Sequence, residues 1–144
     1  SSTFWTEAIG TTAAIATLET MQSTRSWEKI SEVGRVVKDV WRSLASKHSL
    51  AIDVTGLDAL ANFRFEDEHH NLMKTLVTQE MLKAGFLAGT SFFASIEHKQ
   101  HDIDDYSEAL DRVFLRISTA KHSKNLEDLL ETQEAHRTFE RLAN

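Results

Sequence analysis

Two stretches at the start of the chain have the residue pattern of helices. The first, from about Ile9 to Met21, is rich in Ala and Thr, and such small residues let a helix pack closely against another surface. The second starts near Ser26, a good N-cap residue, and ends at about Ser46. Apolar residues recur in it every three or four positions, which predicts one buried stripe. The stripe consists of Ile30, Val33, Val37, Val40 and Leu44, bordered by Trp27 and Trp41, with Arg35, Lys38, Asp39 and Arg42 predicted to be solvated.

The spacing of apolar residues then changes from helical to alternating, which is typical of half-buried strands. Leu50, Ile52 and Val54 alternate with polar or small neighbours, and so do the apolar residues between Ala61 and Phe65. Between these stretches, Gly56-Leu57-Asp58 has the composition of a turn. The pattern predicts a β hairpin with one apolar face.

A third helix is predicted from about Asn71 to Ala84, followed by a third strand from about Ser91 to Ile96. Gly85 directly after the helix is free to adopt a positive φ and therefore makes a plausible stop. The predicted buried face of this helix consists of Leu72, Leu76, Val77 and Met81.

A fourth helix is predicted to start at Asp102, because an Asp caps well and more acidic residues follow in the first turn. Its apolar set is Ile103, Tyr106, Leu110, Val113, Phe114 and Ile117. A last amphipathic stretch lies between Lys121 and Asn144.

This order of helices and strands predicts an α+β fold, in which three strands carry two helices on one face. The first two helices need another surface to cover them. We divide the chain into a helical segment at 1–47, a small α+β domain at 48–120 and a helical tail at 121–144.

Composition narrows the classes of protein to consider. The 144 residues are 41% hydrophobic and 26% charged, which is ordinary for a globular protein. The net charge is −6 and the basic residues are spread out, which argues against nucleic acid as a partner. No apolar run is long enough to predict a membrane span. The chain has no Cys, hence no disulfide, and we expect a cytoplasmic protein.

Three segments resemble class III pyridoxal-phosphate (PLP) aminotransferases, in particular those similar to glutamate-1-semialdehyde 2,1-aminomutase. The first runs from Ser1 to Glu7 and from Ile9 to Ala14, the second from Thr78 to Leu87, and the third from Ser95 to His98 and on through Asp102 to Asp104. Each segment alone is weak, but all three occur in order at compatible spacing. The chain also starts without Met and enters an apolar helix at once, so we expect a C-terminal piece of such an enzyme.

The resemblance implies the small domain of a fold type I PLP enzyme, with a three-stranded antiparallel sheet and a long N-terminal helical arm. It also implies that Thr3, with Ser2 beside it, binds the cofactor phosphate of the neighbouring subunit in a homodimer, since hydroxyl and backbone N–H groups both donate to phosphate oxygens. If the resemblance is set aside, Ser2 and Thr3 are simply polar residues ahead of a helix. The family places its Schiff-base lysine upstream of this chain, so we expect no catalysis by the chain alone and no catalytic residue within it.

Two positions depart from the family pattern. Thr11 stands where the family often has Pro, which removes a helix-start signal but no chemistry. The aminomutases tend to carry a carboxylate before the last strand, where this chain has no acid and Thr90 is the nearest equivalent. This departure favours an aminotransferase of unknown substrate over an aminomutase.

Histidines offer competing interpretations. His69 and His70 follow an acidic run, and His98 lies three residues before His101, so that imidazole and carboxylate groups could bind a metal ion. No third ligand is fixed by the sequence, however, and histidines in turns are more often surface or capping groups. Glu97 beside His98 could be an acid–base pair, peripheral at most.

Two further functions stay open on the sequence. A free-standing α+β domain could act as a non-catalytic dimerisation or regulatory module, and the apolar first helix would favour association with another copy. A histidine-based metal-binding protein is the third and weaker alternative.

Overall fold

The fold consists of a hairpin-based sheet covered by helices, preceded by a helical arm. The computed structural model describes residues 7–135. In chain order its elements are α1 (Ala8–Thr24), α2 (Ser26–Lys47), β1 (Ile52–Leu57), β2 (Leu60–Phe65), α3 (His70–Lys83), β3 (Ser91–Phe93) and α4 (Gln100–Ser123), followed by a 3-10 turn at Glu127–Leu129.

The three strands form one antiparallel sheet in the order β1-β2-β3. β1 pairs with β2 along its whole length, from Ile52 opposite Phe65 to Leu57 opposite Leu60. β3 pairs only with the first half of β2, and its last pair is Ser91 with Asn62. The predicted α+β architecture with a three-stranded antiparallel sheet is therefore confirmed.

The core lies between one face of the sheet and α2, α3 and α4. The alternation in β2 places Phe63 and Phe65 on this face, where both contact the ring of Phe114 at centroid distances of 5.9 and 5.8 Å. Trp41 packs on Phe63 at 4.8 Å. The predicted apolar faces of α3 and α4 are all buried. Three helices cover the sheet rather than the predicted two, because α2 also packs on it.

The two tryptophans of α2 have different environments. Trp41, predicted at the border of the stripe, is completely buried, and its Nε1–H donates to the Tyr106 hydroxyl oxygen at 2.8 Å. Trp27 is 46% exposed. The end of the predicted stripe nearest α1 is only half-buried, and the full stripe forms where α2 crosses the sheet.

A backbone contact fixes the hairpin against α2. A Cβ atom on Gly34 would lie 1.6 Å from the carbonyl oxygen of Asp58, so only glycine lets the helix approach this closely. Lys38, one turn further along α2, donates to the Gly56 carbonyl oxygen at 2.7 Å and to the Asp58 carboxylate at 2.9 Å. The prediction that Lys38 is solvated is therefore wrong, because the turn of the hairpin supplies acceptors for its ammonium group.

Three element boundaries differ from the predictions. The hairpin turn lies at residues 58–59, and Gly56 sits inside β1 with φ 84°. β3 ends at Phe93 instead of Ile96, because the Ser95 N–H donates to the His98 ring and the chain turns there. α4 starts at Gln100, and Asp102 lies inside its first turn, where its carboxylate accepts the Lys99 N–H at 2.8 Å.

α1 contrasts with the rest of the fold because none of its residues is buried. Ile9, Ile15 and Leu18 are 76%, 58% and 64% exposed. The prediction that this helix needs another surface agrees with these exposures. No helix in the described part combines the length and apolar character that crossing a membrane requires.

The tail packs back on α3 as far as residue 135. The Gln79 side chain donates to the Leu129 carbonyl oxygen at 2.9 Å, and the Asn71 side chain donates to the Glu134 carboxylate at 3.0 Å. Leu126 is buried at the edge of the core. α4 ends at Ser123, within the segment predicted as the tail, and the division into three segments stays a prediction.

Candidate functional site

The residues predicted to bind the cofactor phosphate, Thr3 and Ser2, lie outside the described residues. Their role stays a prediction that follows from the resemblance. The described chain begins just after them, and α1 starts at Ala8.

The second family-like segment forms the end of α3 and the loop that follows it. Gly85 has φ 89°, and its N–H donates to the Leu82 carbonyl oxygen at 3.0 Å, so the predicted helix stop is confirmed. Leu87 in the loop is 99% exposed. Thr90, the equivalent of the aminomutase carboxylate, is half-buried, and its carbonyl oxygen accepts the Phe63 N–H at 3.0 Å.

The third family-like segment closes a cleft of about 500 Å³ beside this loop. Phe86 and Phe92 form its apolar walls, and Tyr106 of α4 lies behind them. The His98 ring packs on Phe92 at a centroid distance of 4.9 Å, and its Nδ1 accepts the Ser95 N–H at 3.0 Å. That hydrogen bond places the proton of a neutral His98 imidazole on Nε2.

The acidic groups around the cleft already have partners. The Glu97 carboxylate lies 3.5 Å from the Lys99 ammonium group, and Asp102 caps α4 while lying 3.3 Å from His101. The structure thus gives no hydrogen bond between Glu97 and His98 to support an acid–base pair. Within residues 7–135, no three metal-binding side chains come together around His98 and His101, or anywhere else.

Tyr106 is the buried polar group of the cleft. Burial raises the pKa of its hydroxyl to about 12, so the hydroxyl is protonated at neutral pH. Its oxygen accepts the Trp41 Nε1–H at 2.8 Å, which holds the hydroxyl against the core.

PLP chemistry needs a lysine that forms a Schiff base, and the chain contains eight lysines. Five form ion pairs with carboxylates: Lys38, Lys47, Lys83, Lys99 and Lys121. The other three, Lys29, Lys74 and Lys124, are exposed. None lies in an enclosed apolar site, so the described residues do not fit a complete PLP site.

The ion pairs at two half-buried carboxylates, Asp111 and Asp67, are structural. Hydrogen bonds from Lys47 and His48 at the end of α2 lower the pKa of the Asp111 carboxyl group on α4. A hydrogen bond from Lys121 lowers the pKa of Asp67, which precedes α3. These ion pairs join elements of the core, and neither carboxylate is left without a partner.

Among the comparisons with known proteins, only that with solved structures finds a likeness. No protein-family model matches the sequence, and no curated protein matches it. Among solved structures, the FumI protein of Sphingopyxis sp. MTA144 in its PLP internal aldimine form superposes with a TM-score of 0.71 and 23% identity, over 88% of this chain and 31% of that one. A transaminase with PLP bound gives a TM-score of 0.55 and 20% identity, over 65% of this chain and 24% of that one.

These structural similarities establish the fold and show how much of the matched structures the chain spans. The chain spans less than a third of the length of the PLP-binding structures that it matches. The predicted fold, that of the C-terminal small domain of fold type I PLP-dependent transferases with a helical arm before it, is confirmed. At these identities the likeness concerns the fold alone, which is that of one part of these PLP-bound structures.

Proposed function

We propose that this chain is the C-terminal part of a PLP-dependent class III aminotransferase that transfers amino groups between small substrates as a homodimer. The observation that carries the proposal is the superposition on about a third of the PLP-bound FumI structure, which involves 88% of this chain. The three family-like segments of the sequence support it. The parent activity is aminotransfer rather than aminomutase chemistry, since Thr90 replaces the carboxylate that the aminomutases tend to carry.

The uncovered first helix supports the same proposal. α1 exposes three large aliphatic side chains and buries none of its residues against the rest of the chain. Exposed apolar surface of this kind is normally covered by a partner or by another domain. The remaining two thirds of an aminotransferase would supply that surface.

Within such an enzyme, this chain supplies binding and shape. Bound PLP would stabilise the carbanion that develops on the substrate, and Thr3, with Ser2, would hold its phosphate across the dimer interface by hydrogen bonds. The loop after α3 and the cleft beside His98 would border the entrance for the substrate. The reactive lysine and the aspartate that binds the pyridinium nitrogen would come from the large domain, so the chain is not catalytic on its own.

The alternative is a free-standing, non-catalytic dimerisation or regulatory module. The observation that favours it is again α1, because two copies of this chain could cover each other's exposed aliphatic residues. We place the protein in the cytoplasm on either proposal, in line with its lack of cysteine.

The first experiment is a blot of the source cells with an antibody against this chain, followed by purification of the detected protein. We expect a band several times larger than 16.3 kDa, PLP released on denaturation, and aminotransfer in a panel of amines and oxo acids. A band at 16.3 kDa without PLP would reject the aminotransferase proposal and favour the module.

A substitution in that full-length protein tests the phosphate contact. Thr3→Val should weaken PLP binding about tenfold, the usual loss for a hydrogen bond to a charged group, whereas Thr3→Ser should retain it. Thr119→Val on the exposed side of α4 is the matched control, because among residues 7–135 the Thr119 hydroxyl bonds only within its helix. Equal PLP affinity in Thr3→Val and the control would show that Thr3 does not touch the phosphate.

A further inference from the structure

A gap in the sheet creates another cavity, which shares Ser91 with the His98 cleft. β3 pairs with β2 only as far as Asn62, so the edge of β2 from Phe63 onwards has no strand beside it. The first turns of α3 and the residues just before β3 close the gap and leave a cavity of about 390 Å³. We call it the basic pocket; its polar lining is Asn62, Arg64, His70, Asn71, Lys74, Thr90 and Ser91.

The charge of the basic pocket is opposite to that of the chain. Arg64 and Lys74 line it and no Asp or Glu does, although the whole chain has 22 acidic against 16 basic residues. Neither Arg64 nor Lys74 belongs to any ion pair in the part of the chain that the structure describes, whereas five other lysines do. Asp53, opposite Arg64 in the β1–β2 register, is not paired with it either.

Neutral donors accompany the two cations. The Thr90 hydroxyl makes no hydrogen bond within residues 7–135, and His70 adds an imidazole. Because the Phe63 N–H donates to Thr90 across this edge, strand alternation places the Phe65 N–H on the same edge, beyond the end of β3.

Together these groups match a small oxyanion. An arginine fork binds two oxygens of a carboxylate or phosphate, and an ammonium group and neutral N–H and O–H donors complete its hydrogen bonding. A volume of about 390 Å³ suits a small molecule rather than a chain segment or nucleic acid. We propose that the basic pocket binds the phosphate or carboxylate group of a small ligand, with Arg64 and Lys74 as its principal contacts. This proposal does not depend on the aminotransferase function.

The test titrates the 144-residue chain with inorganic phosphate and, separately, with succinate, while the amide NMR signals are followed. We expect saturable shifts at residues 65, 71 and 90 with at least one of the two anions, which also tells whether the pocket prefers phosphate or carboxylate. Titration with sodium chloride over the same range controls for ionic strength, which alone weakens such contacts.

Matched variants locate the binding. Arg64→Gln combined with Lys74→Gln should weaken binding at least tenfold, whereas Lys29→Gln combined with Arg35→Gln, exposed on α2, should leave it unchanged. Arg64→Lys keeps the charge but loses the fork, so it should weaken binding less than Arg64→Gln. All these side chains are outside the core, and circular dichroism checks that each variant is folded. No saturable shift with either anion, or equal weakening by both double variants, would overturn the proposal.

Discussion

α1 and α2 are consecutive helices of similar length, joined at Arg25, yet they differ completely in how they are held. α1 has 17 residues and none is buried, whereas α2 has 22 and buries five of them in the core. Arg25, with φ 49°, ends one helix and starts the other. Composition explains the difference, because α1 is built from Ala and Thr without an apolar stripe and α2 has a clear one. α1 is therefore a helix that is not covered by the rest of the described chain.

Amide hydrogen exchange should show the largest difference between the two helices. Helices in proteins gain most of their stability from tertiary packing, and α1 buries none of its residues, so the free energy needed to open its amides should be near zero. The amides between Val37 and Ala45 should approach the global free energy of unfolding, roughly 5–15 kcal/mol. If the α1 amides are protected in a way that rises with protein concentration, a second copy covers α1 and the difference between the helices disappears.

Substitutions of the two tryptophans of α2 test how differently the two ends of this helix are buried. Trp41→Ala should lower the free energy of unfolding by about 3–5 kcal/mol, because it removes a fully buried ring and the donor to Tyr106. Trp27→Ala, near the α1 end, should change it by less than about 0.5 kcal/mol. Urea denaturation followed by circular dichroism measures both. Similar losses in the two variants would mean that α2 is buried along its whole length.

Two glycines provide a matched pair, one in each helix. Gly34→Ala should destabilise the chain by about 1–3 kcal/mol or more, because its Cβ would overlap the Asp58 carbonyl oxygen. Gly10→Ala meets nothing within 4 Å and should raise the helix content of α1, where alanine is favoured by about 1 kcal/mol. Denaturation curves and far-ultraviolet dichroism are the readouts. A stable Gly34→Ala protein would show that the hairpin can move away from α2.

The smallest expected effect concerns the end of α2. The pKa of Asp111 lies below its ordinary 3.8 in the fold, so its pairs with Lys47 and His48 stabilise the fold above that pH. This stabilisation, about 1 kcal/mol or less, is lost as the pH falls through the lower folded-state pKa. Asp111→Asn should therefore be less stable than the original chain near neutral pH, and the two should converge in acid.

Glu19→Gln in α1 is the control for that pH series. The structure gives Glu19 no ion pair among residues 7–135, so the substitution should leave the dependence of stability on pH unchanged. Denaturation at several pH values between roughly 2 and 7 measures how the free energy of unfolding of each variant depends on pH. A constant difference between Asp111→Asn and the original chain would contradict the ion-pair assignment.

Periodic elements were predictable from the sequence because their side chains record which face is buried. The apolar set of α4 is fully buried, and α2 starts at the predicted Ser26. What the pattern missed depends on contacts between distant or non-periodic residues. The end of β3 is set by the His98 ring, and the burial of Lys38 is set by acceptors about 20 positions further along.

The family-like segments were informative about the fold for a physical reason. Gly85 ends α3 in a conformation that suits glycine, and the residues from Ser95 to His98 form the turn that ends β3. These are structural roles, which a fold retains whatever its substrate. The basic pocket was not predicted, since Arg64 and Lys74 belong to different elements and only the short β3 brings a cavity between them.

The contact of Lys38 with the hairpin also bears on the exposed edge of the sheet. β1 is an edge strand, and strand alternation points the Gly56 carbonyl oxygen away from β2, towards the side where a foreign strand could add. Lys38 occupies that oxygen with a charged group and lies over the edge. Lys38 therefore both holds α2 against the hairpin and hinders the addition of a strand from another molecule to the sheet.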